Sequence, residues 1–392
     1  MIIASEQIQP TKTTCSETNF ADLYEQINQD DIGLQLLSKS SEDVRKSLNR
    51  KQKSINDFIT LLSPAATPFI ETMAQLSWRT TRQRFGKTIQ LFLPLYLSNT
   101  CHNICTYCGF SLNNPVKRIT LSQEQLEAEL QAIKATGFEH VLLVTGEAPG
   151  RVGMPYFRKV LPQVKRTMAH VSMEVQPLDE ADYAELIQSG LDAVYVYQET
   201  YNRHIYAKHH LRGNKQDFFY RLNTPDRLGR AGINKTGIAA LMGLSPKWRV
   251  DVVMSAFHLS YLQKKYWRTR YSISLPRLRP CEGGITPAAV ISDREMVQLI
   301  CAWRIVFPEV EISLSTREPA ALRDQLVKLG VTSMSAGVST RPGGYANPDS
   351  NQALAQFDID DMRSASEIAR MIRAAQLEAV WKDSEISLNN CR

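Results

Sequence analysis

The chain has 392 residues, 43% of them hydrophobic and 22% charged, with a formal net charge of +6 whose basic and acidic positions interleave. That composition excludes general disorder, and without a concentrated basic block it argues against a nucleic-acid role. The longest apolar run, residues 91–97, is far shorter than the about 20 residues a bilayer span needs, and the first residues lack the apolar core of a secretory signal, so a cytoplasmic protein with no membrane attachment is expected.

Residues 1–20 are polar and aperiodic, as in a flexible tail. Residues 21–85 carry short helical patterns, such as Leu23 with Ile27 and Ile55 with Phe58, Leu61 and Leu62, which predict a helical extension packed on something larger. Over residues 86–340 apolar or β-branched runs alternate with amphipathic stretches. The runs lie at 89–97, 141–144, 171–175, 193–197, 237–242, 271–275, 310–314 and 331–335. Helices between them announce their starts. Ser122 with Gln125 and Ser292 with Glu295 are capping boxes, Thr224-Pro225 puts proline in a tolerated first turn, and Gly137 and Gly190 sit where helices stop. Eight strands alternating with helices predict an α/β fold with a parallel sheet. Their number and spacing match a (β/α)8 TIM barrel, with an open doubly wound sheet as the alternative, and residues 341–392 form a short C-terminal extension. In a barrel, chemistry belongs just past the C-terminal ends of the strands.

The seven cysteines are Cys15, Cys101, Cys105, Cys108, Cys281, Cys301 and Cys391. An odd count in a reducing compartment disfavours a disulfide framework. Three of them fall in Cys101-His102-Asn103-Ile104-Cys105-Thr106-Tyr107-Cys108, directly after the first strand. Thiolates at C-x3-C-x2-C spacing can wrap a soft metal centre. A [4Fe–4S] cube takes about one thiolate per iron, so three cysteines leave one iron open to a small molecule. The competing reading is a zinc site using these cysteines and His102 in a non-catalytic interaction protein, but zinc sites favour paired CxxC units and no second pair exists.

The spacing, with Tyr107 before the last cysteine, resembles the radical S-adenosylmethionine (SAM) superfamily. That resemblance implies a [4Fe–4S] cluster on Cys101, Cys105 and Cys108, with SAM on the open iron. Thr145-Gly146-Glu147 follows the second strand where the superfamily has a Gly-Gly-Glu-like segment whose backbone meets the SAM amino group; here Thr145 replaces the first glycine. Glu199, at the end of the fourth strand, is a candidate acceptor from ribose hydroxyls, and Arg221 a candidate partner of the SAM carboxylate. A surface salt bridge and an exposed helical arginine are the plainer readings of these two. His204, His209 and His210 lie in a polar segment and read as solvated or structural, and Cys281 as a free thiol.

Longer motifs narrow the resemblance. Pro94-Leu95-Tyr96-Leu97-Ser98-Asn99, Met173-Glu174-Val175-Gln176-Pro177-Leu178, Tyr197-Gln198-Glu199-Thr200-Tyr201, Thr224-Pro225-Asp226-Arg227-Leu228-Gly229-Arg230 and Leu314-Ser315-Thr316-Arg317-Glu318 stand in order. Together they make the chain similar to the tyrosine lyases of bacterial thiazole synthesis, the 2-iminoacetate synthases, over about residues 20–385. The resemblance implies cleavage of the Cα–Cβ bond of L-tyrosine to 2-iminoacetate and p-cresol, with 5′-deoxyadenosine and methionine formed. It implies delivery of the imine to the thiazole synthase subunit ThiG, and an electron donor such as flavodoxin or ferredoxin. It places Arg317 on the substrate carboxylate, with Ser335 assisting and Tyr96 near the amino group. Related lyases act on tryptophan, which remains the alternative substrate. The hydrogenase maturation lyases carry further C-terminal cysteines for a second cluster, whereas Cys391 stands alone here.

Overall fold

The computed structural model describes residues 18–348 and 355–381. Eight parallel strands close on themselves: β1 (Thr88–Ser98), β2 (His140–Thr145), β3 (His170–Glu174), β4 (Ala193–Tyr195), β5 (Lys235–Ile238), β6 (Arg270–Ser274), β7 (Glu311–Leu314) and β8 (Ser333–Ser335). Closure is made by β8 on β1, with Gln90 opposite Ser333 and Phe92 opposite Ser335. The (β/α)8 barrel is therefore the fold, and the open doubly wound sheet is excluded by the pairing of first and last strands.

Alternation along each strand divides the molecule into two environments. On β1, Leu91, Leu93, Leu95 and Leu97 point outward into the layer shared with the helices, while Phe92, Pro94 and Tyr96 line the interior. On β2, Val141 and Leu143 join the outer core, and Leu142 and Val144 face inward with Tyr96. This period of two explains why both strands read as continuous apolar runs: both faces are covered. Burying each such leucine or valine contributes roughly 1.5–3 kcal/mol, so the outer layer fixes the strands and leaves the inner face free to carry polar groups.

The helical lead-in comprises Phe20–Tyr24, Gln29–Ser38, Ser41–Asn49, Ile55–Leu62 and Ile70–Phe85. Asn19, Ser40 and Ser54 cap three of these through reciprocal capping boxes. The last two pack on the barrel helix Asp293–Val306, where the Gln298 side chain donates to Leu61 O (2.9 Å) and Ser63 O (2.8 Å). The tail expected over residues 1–20 lies, up to residue 17, outside the described residues. At its far end Phe20 is fully buried and stacks on His258 with ring centroids 3.9 Å apart.

The C-terminal extension does more than its reading predicts. After helix Ala365–Ala374 it adds β9 (Glu378–Val380), which pairs in parallel with the start of β1, Thr88 opposite Glu378 and Gln90 opposite Val380.

Candidate active site

The barrel interior opens into a chamber with about 210 Å³ open to the centres of water-sized molecules. That is far more than the roughly 10–15 Å³ one buried water needs. Tyr96, Cys101, Cys105, Tyr107, Cys108, Gly146, Glu147, Glu199, Arg221, Arg317 and Ser335 all line it. Residues scattered over more than 200 positions of chain are thus brought to one wall-to-wall site at the C-terminal ends of the strands.

The cysteine loop leaves β1 and is stitched by bonds within the chain. Arg118 donates to the carbonyls of Asn99 (2.8 Å), Phe110 (2.8 Å) and Ser111 (2.7 Å). Asn103 Nδ2 donates to Glu147 Oε2 (2.8 Å), and His102 N–H to Glu147 O (2.9 Å). Between Cys105 and Cys108, Thr106 meets His209 Nδ1 (2.7 Å) and Tyr107 meets His210 Nε2 (2.7 Å). His210 Nδ1 lies 2.7 Å from Tyr206 O, so it carries the proton and Nε2 accepts from the Tyr107 hydroxyl. Burial, with Lys215 nearby, pushes the His210 imidazole down to about 2, which keeps it a neutral acceptor. The solvated reading of the histidine segment is corrected here. His209 and His210 are buried supports of the cysteine loop, because the short strands Ile104–Cys105 and His210–Arg212 pair antiparallel; His204 stays exposed.

Cys101, Cys105 and Cys108 carry free thiols facing the chamber. Burial pushes all three up, Cys101 to about 11, so a bound cation must compensate before they act as thiolates. Among the described residues no three His, Cys, Asp or Glu groups are arranged to hold a single metal ion. Three thiols from one short loop, all lining the chamber, suit a cluster that takes one thiolate per iron. Against Cys101 the β2 end forms a cradle. A Cβ at Gly146 would stand 2.3 Å from Thr100 O and 3.0 Å from Cys101 Cβ, so only glycine lets the two backbones meet. Beside it, the Thr145 hydroxyl is buried with no hydrogen-bond partner. An unsatisfied hydroxyl next to bare backbone and three soft donors fits a polar ligand seated on a cluster.

A buried charge network flanks the cradle. Arg221 pairs with Glu147 (2.9 Å) and lies 3.9 Å from Glu199, and Lys215 pairs with Glu199 (2.8 Å). Burial pushes the Glu199 carboxyl up, but Lys215 and Arg221 outweigh it and hold it below the usual range. The exposed-arginine and surface salt-bridge readings of Arg221 and Glu199 are therefore corrected: side-chain exposure is 7% and 13%. Arg221 also donates from Nε to Tyr197 O (2.7 Å), so two of its five donors are committed within the protein.

Glu199 has φ +70°, a conformation that costs a non-glycine residue of order 1–3 kcal/mol. The next two residues hold it there. Asp251 accepts from Thr200 Oγ1 (3.0 Å) and Tyr201 N–H (2.7 Å), and the N-terminal Tyr24 hydroxyl and Gln29 amide donate to Tyr201 O (2.8 and 2.9 Å). Asp251→Ala leaves two buried donors unmet. It is expected to lower stability by about 1–3 kcal/mol and to weaken SAM binding, read by thermal unfolding and equilibrium dialysis. Unchanged SAM affinity would detach the Glu199 loop from SAM.

Across the chamber, the Arg317 guanidinium lies 3.5 Å over the Phe357 ring. No carboxylate or carbonyl among the described residues takes its side-chain donors. Burial lowers its basicity, opposed by Tyr96, Glu174 and Glu199. The Ser335 hydroxyl accepts from Thr316 N–H (3.2 Å) and so braces the turn that presents Arg317. Sequence reasoning passed over Glu174, Lys215, Gln356 and Phe357. Glu174 was findable, since it ends β3; burial, then Glu199, pushes its carboxyl up to about 7. Lys215 sits in a single 3-10 turn, Asn214–Gln216, and residues 356–357 in an irregular segment, neither with a local signal.

The chain matches the Radical SAM superfamily over residues 95–255 and the Biotin and Thiamin Synthesis associated domain over residues 274–378. It is 52% identical over 364 residues to a 2-iminoacetate synthase of Escherichia coli (strain K12), covering 93% of this chain and 96% of that one. Its fold superposes on HydG, a maturase of the [FeFe]-hydrogenase, with TM-score 0.86 and 27% identity, over 93% of this chain and 82% of that one. HydG from Carboxydothermus hydrogenoformans gives TM-score 0.80 and 29% identity over 95% of this chain and 85% of its own.

Proposed function

The chain belongs to the radical SAM 2-iminoacetate synthase family, and from that premise we infer that it cleaves the Cα–Cβ bond of L-tyrosine to 2-iminoacetate and p-cresol for thiazole synthesis. The observation that carries the reading is Arg317, a half-buried guanidinium without an anionic partner among the described residues, facing the same chamber as three free cysteines. A [4Fe–4S] cluster and SAM, when bound, supply a hydrogen-abstracting 5′-deoxyadenosyl radical.

The residues divide that work. Cys101, Cys105 and Cys108 are read as the cluster ligands. The Gly146 backbone, Glu147, Glu199, Arg221 and Tyr107 are read as the SAM site, with Glu147 and Arg221 locking each other rather than both turning to the ligand. Arg317 orients tyrosine by its carboxylate; the planar fork suits two parallel bonds. Tyr96 and Ser335 close the site around the amino group and carboxylate. Glu174, poised near neutrality, is placed to take a proton from the substrate ammonium, which must be neutral before an N–H hydrogen is removed.

The imine is short-lived in water, which supports transfer to ThiG as protein partner, and flavodoxin or ferredoxin suits the one-electron supply. No helix among the described residues is long and apolar enough to cross a membrane. Free thiols at the site suit the reducing cytoplasm.

The test uses anaerobically reconstituted protein with SAM, dithionite and L-tyrosine, following products by chromatography. 5′-Deoxyadenosine and p-cresol together are expected. Deoxyadenosine without p-cresol would move the substrate to another aromatic amino acid such as tryptophan, and neither product from cluster-loaded protein would overturn the enzyme reading.

A further inference from the structure

A strap of chain, residues 355–361, crosses the barrel mouth beside the cysteine loop and is bonded along its length. Asp358 N–H donates to Pro280 O (3.0 Å), and the N–H groups of Asp360 and Asp361 donate to Thr316 O (3.0 and 3.2 Å). Arg279 pairs with Asp360, and Arg323 with Asp361, the latter pair having no side-chain exposure at all. Gly109 N–H donates to Gln356 O (3.0 Å), and a Cβ at Gly109 would stand 2.8 Å from Ala355 O, so strap and cysteine loop touch backbone to backbone.

This anchorage sets two side chains in the chamber. Gln356 Oε1 accepts from the Tyr96 hydroxyl at 2.7 Å while its Nε2 faces Cys108 Sγ at 3.9 Å. With Cys108 as a cluster thiolate this orientation of the amide suits both neighbours, because the thiolate takes a donor and the hydroxyl then has an acceptor. Phe357 lies against the Arg317 guanidinium by its ring face, at 3.5 Å. A cation held by its face keeps its N–H rim available for other partners.

We propose that Phe357 and Gln356 are positioning residues for tyrosine: Phe357 holds the Arg317 guanidinium with its donor rim open to the substrate carboxylate, and Gln356 fixes the Tyr96 hydroxyl on the β1 wall. The proposal rests on the reading of Arg317 as the carboxylate site. It makes the strap the part that ties substrate geometry to the cysteine loop, so loosening it lets SAM cleavage run without tyrosine cleavage.

Reconstituted holoenzyme with SAM decides it. Phe357→Leu is expected to weaken binding of labelled tyrosine in equilibrium dialysis by about 10–30-fold, the loss of a desolvated cation–π contact. Phe357→Tyr, which keeps the ring, stays within about threefold by the same argument. Gln356→Ala is expected to raise the ratio of 5′-deoxyadenosine to p-cresol about fivefold at saturating tyrosine, as a lost hydrogen bond of ordinary strength would. Iron content and SAM affinity stay at the level of the parent in all three. Parental tyrosine affinity in Phe357→Leu, or an unchanged product ratio in Gln356→Ala, overturns the proposal. If Phe357→Leu does not fold, the Gln356→Ala ratio decides alone. Arg317→Ala separates the two levels: if it binds tyrosine normally the carboxylate reading falls, and if it loses binding while Phe357→Leu keeps it, only the positioning role falls.

Discussion

Arg317→Ala is expected to cut tyrosine cleavage by about 10²–10⁴-fold, the range of 3–5 kcal/mol that follows removal of one partner from a buried ion pair. The guanidinium is held in the chamber at a cost, since burial lowers its basicity and the nearest supports are a ring face and distant carboxylates. A half-buried cation kept without a carboxylate in contact is matched by an anion that arrives with the substrate. Arg317→Lys keeps the charge but loses the fork and the flat stack on Phe357, so it recovers only part of the rate. The variant is to be assayed for p-cresol, with iron content and basal 5′-deoxyadenosine measured beside it. Both of these are expected to survive, because Arg317 bonds to no residue of the cysteine loop. Normal p-cresol formation by Arg317→Ala would sink the carboxylate role.

The second large effect is Cys105→Ser, expected to abolish both products while leaving the fold intact. Serine cannot replace a soft thiolate on iron. Arg118, Asn103, His209 and His210 brace the loop through bonds that the substitution leaves alone. The variant should therefore keep the parental circular dichroism and lose the brown colour and the absorption at about 400 nm of thiolate-ligated iron. A coloured, active Cys105→Ser would remove Cys105 from the ligand set, and a collapsed one would show that the bracing is weaker than its bonds indicate.

Much of the barrel was legible because its rules are local. Each of the eight strands overlaps an apolar or β-branched run, although the fifth, Lys235–Ile238, starts two residues before the run at 237–242 and shares only Gly237 and Ile238 with it, and Ser122 and Ser292 form the capping boxes that their sequences predict. The cysteine loop was legible for a different reason, the chemistry of three thiols at close spacing. What stayed hidden depends on distance along the chain. Tyr96 and Gln356 are 260 residues apart, and Asn103 reaches Lys215 across 112. No periodicity encodes such meetings. The burial of His209 and His210 was hidden because their neighbours are polar in sequence, while in space Tyr206 and Tyr107 cover them. The return of β9 to β1 was hidden because three residues, Glu378–Val380, are too few for a pattern.

That returning strand has a consequence in time. The start of β1 gains its β9 partner only from Glu378–Val380, roughly 290 residues later in the chain, which at about 5–20 residues per second is on the order of 15–60 s of synthesis. The barrel itself closes earlier, when Ser333–Ser335 meets β1, so β9 adds its pairing to a barrel already shut. β9 sits at the start of β1, at the far end of that strand from the cysteine loop, so its late arrival braces the floor of the barrel and leaves the walls of the chamber as they stand.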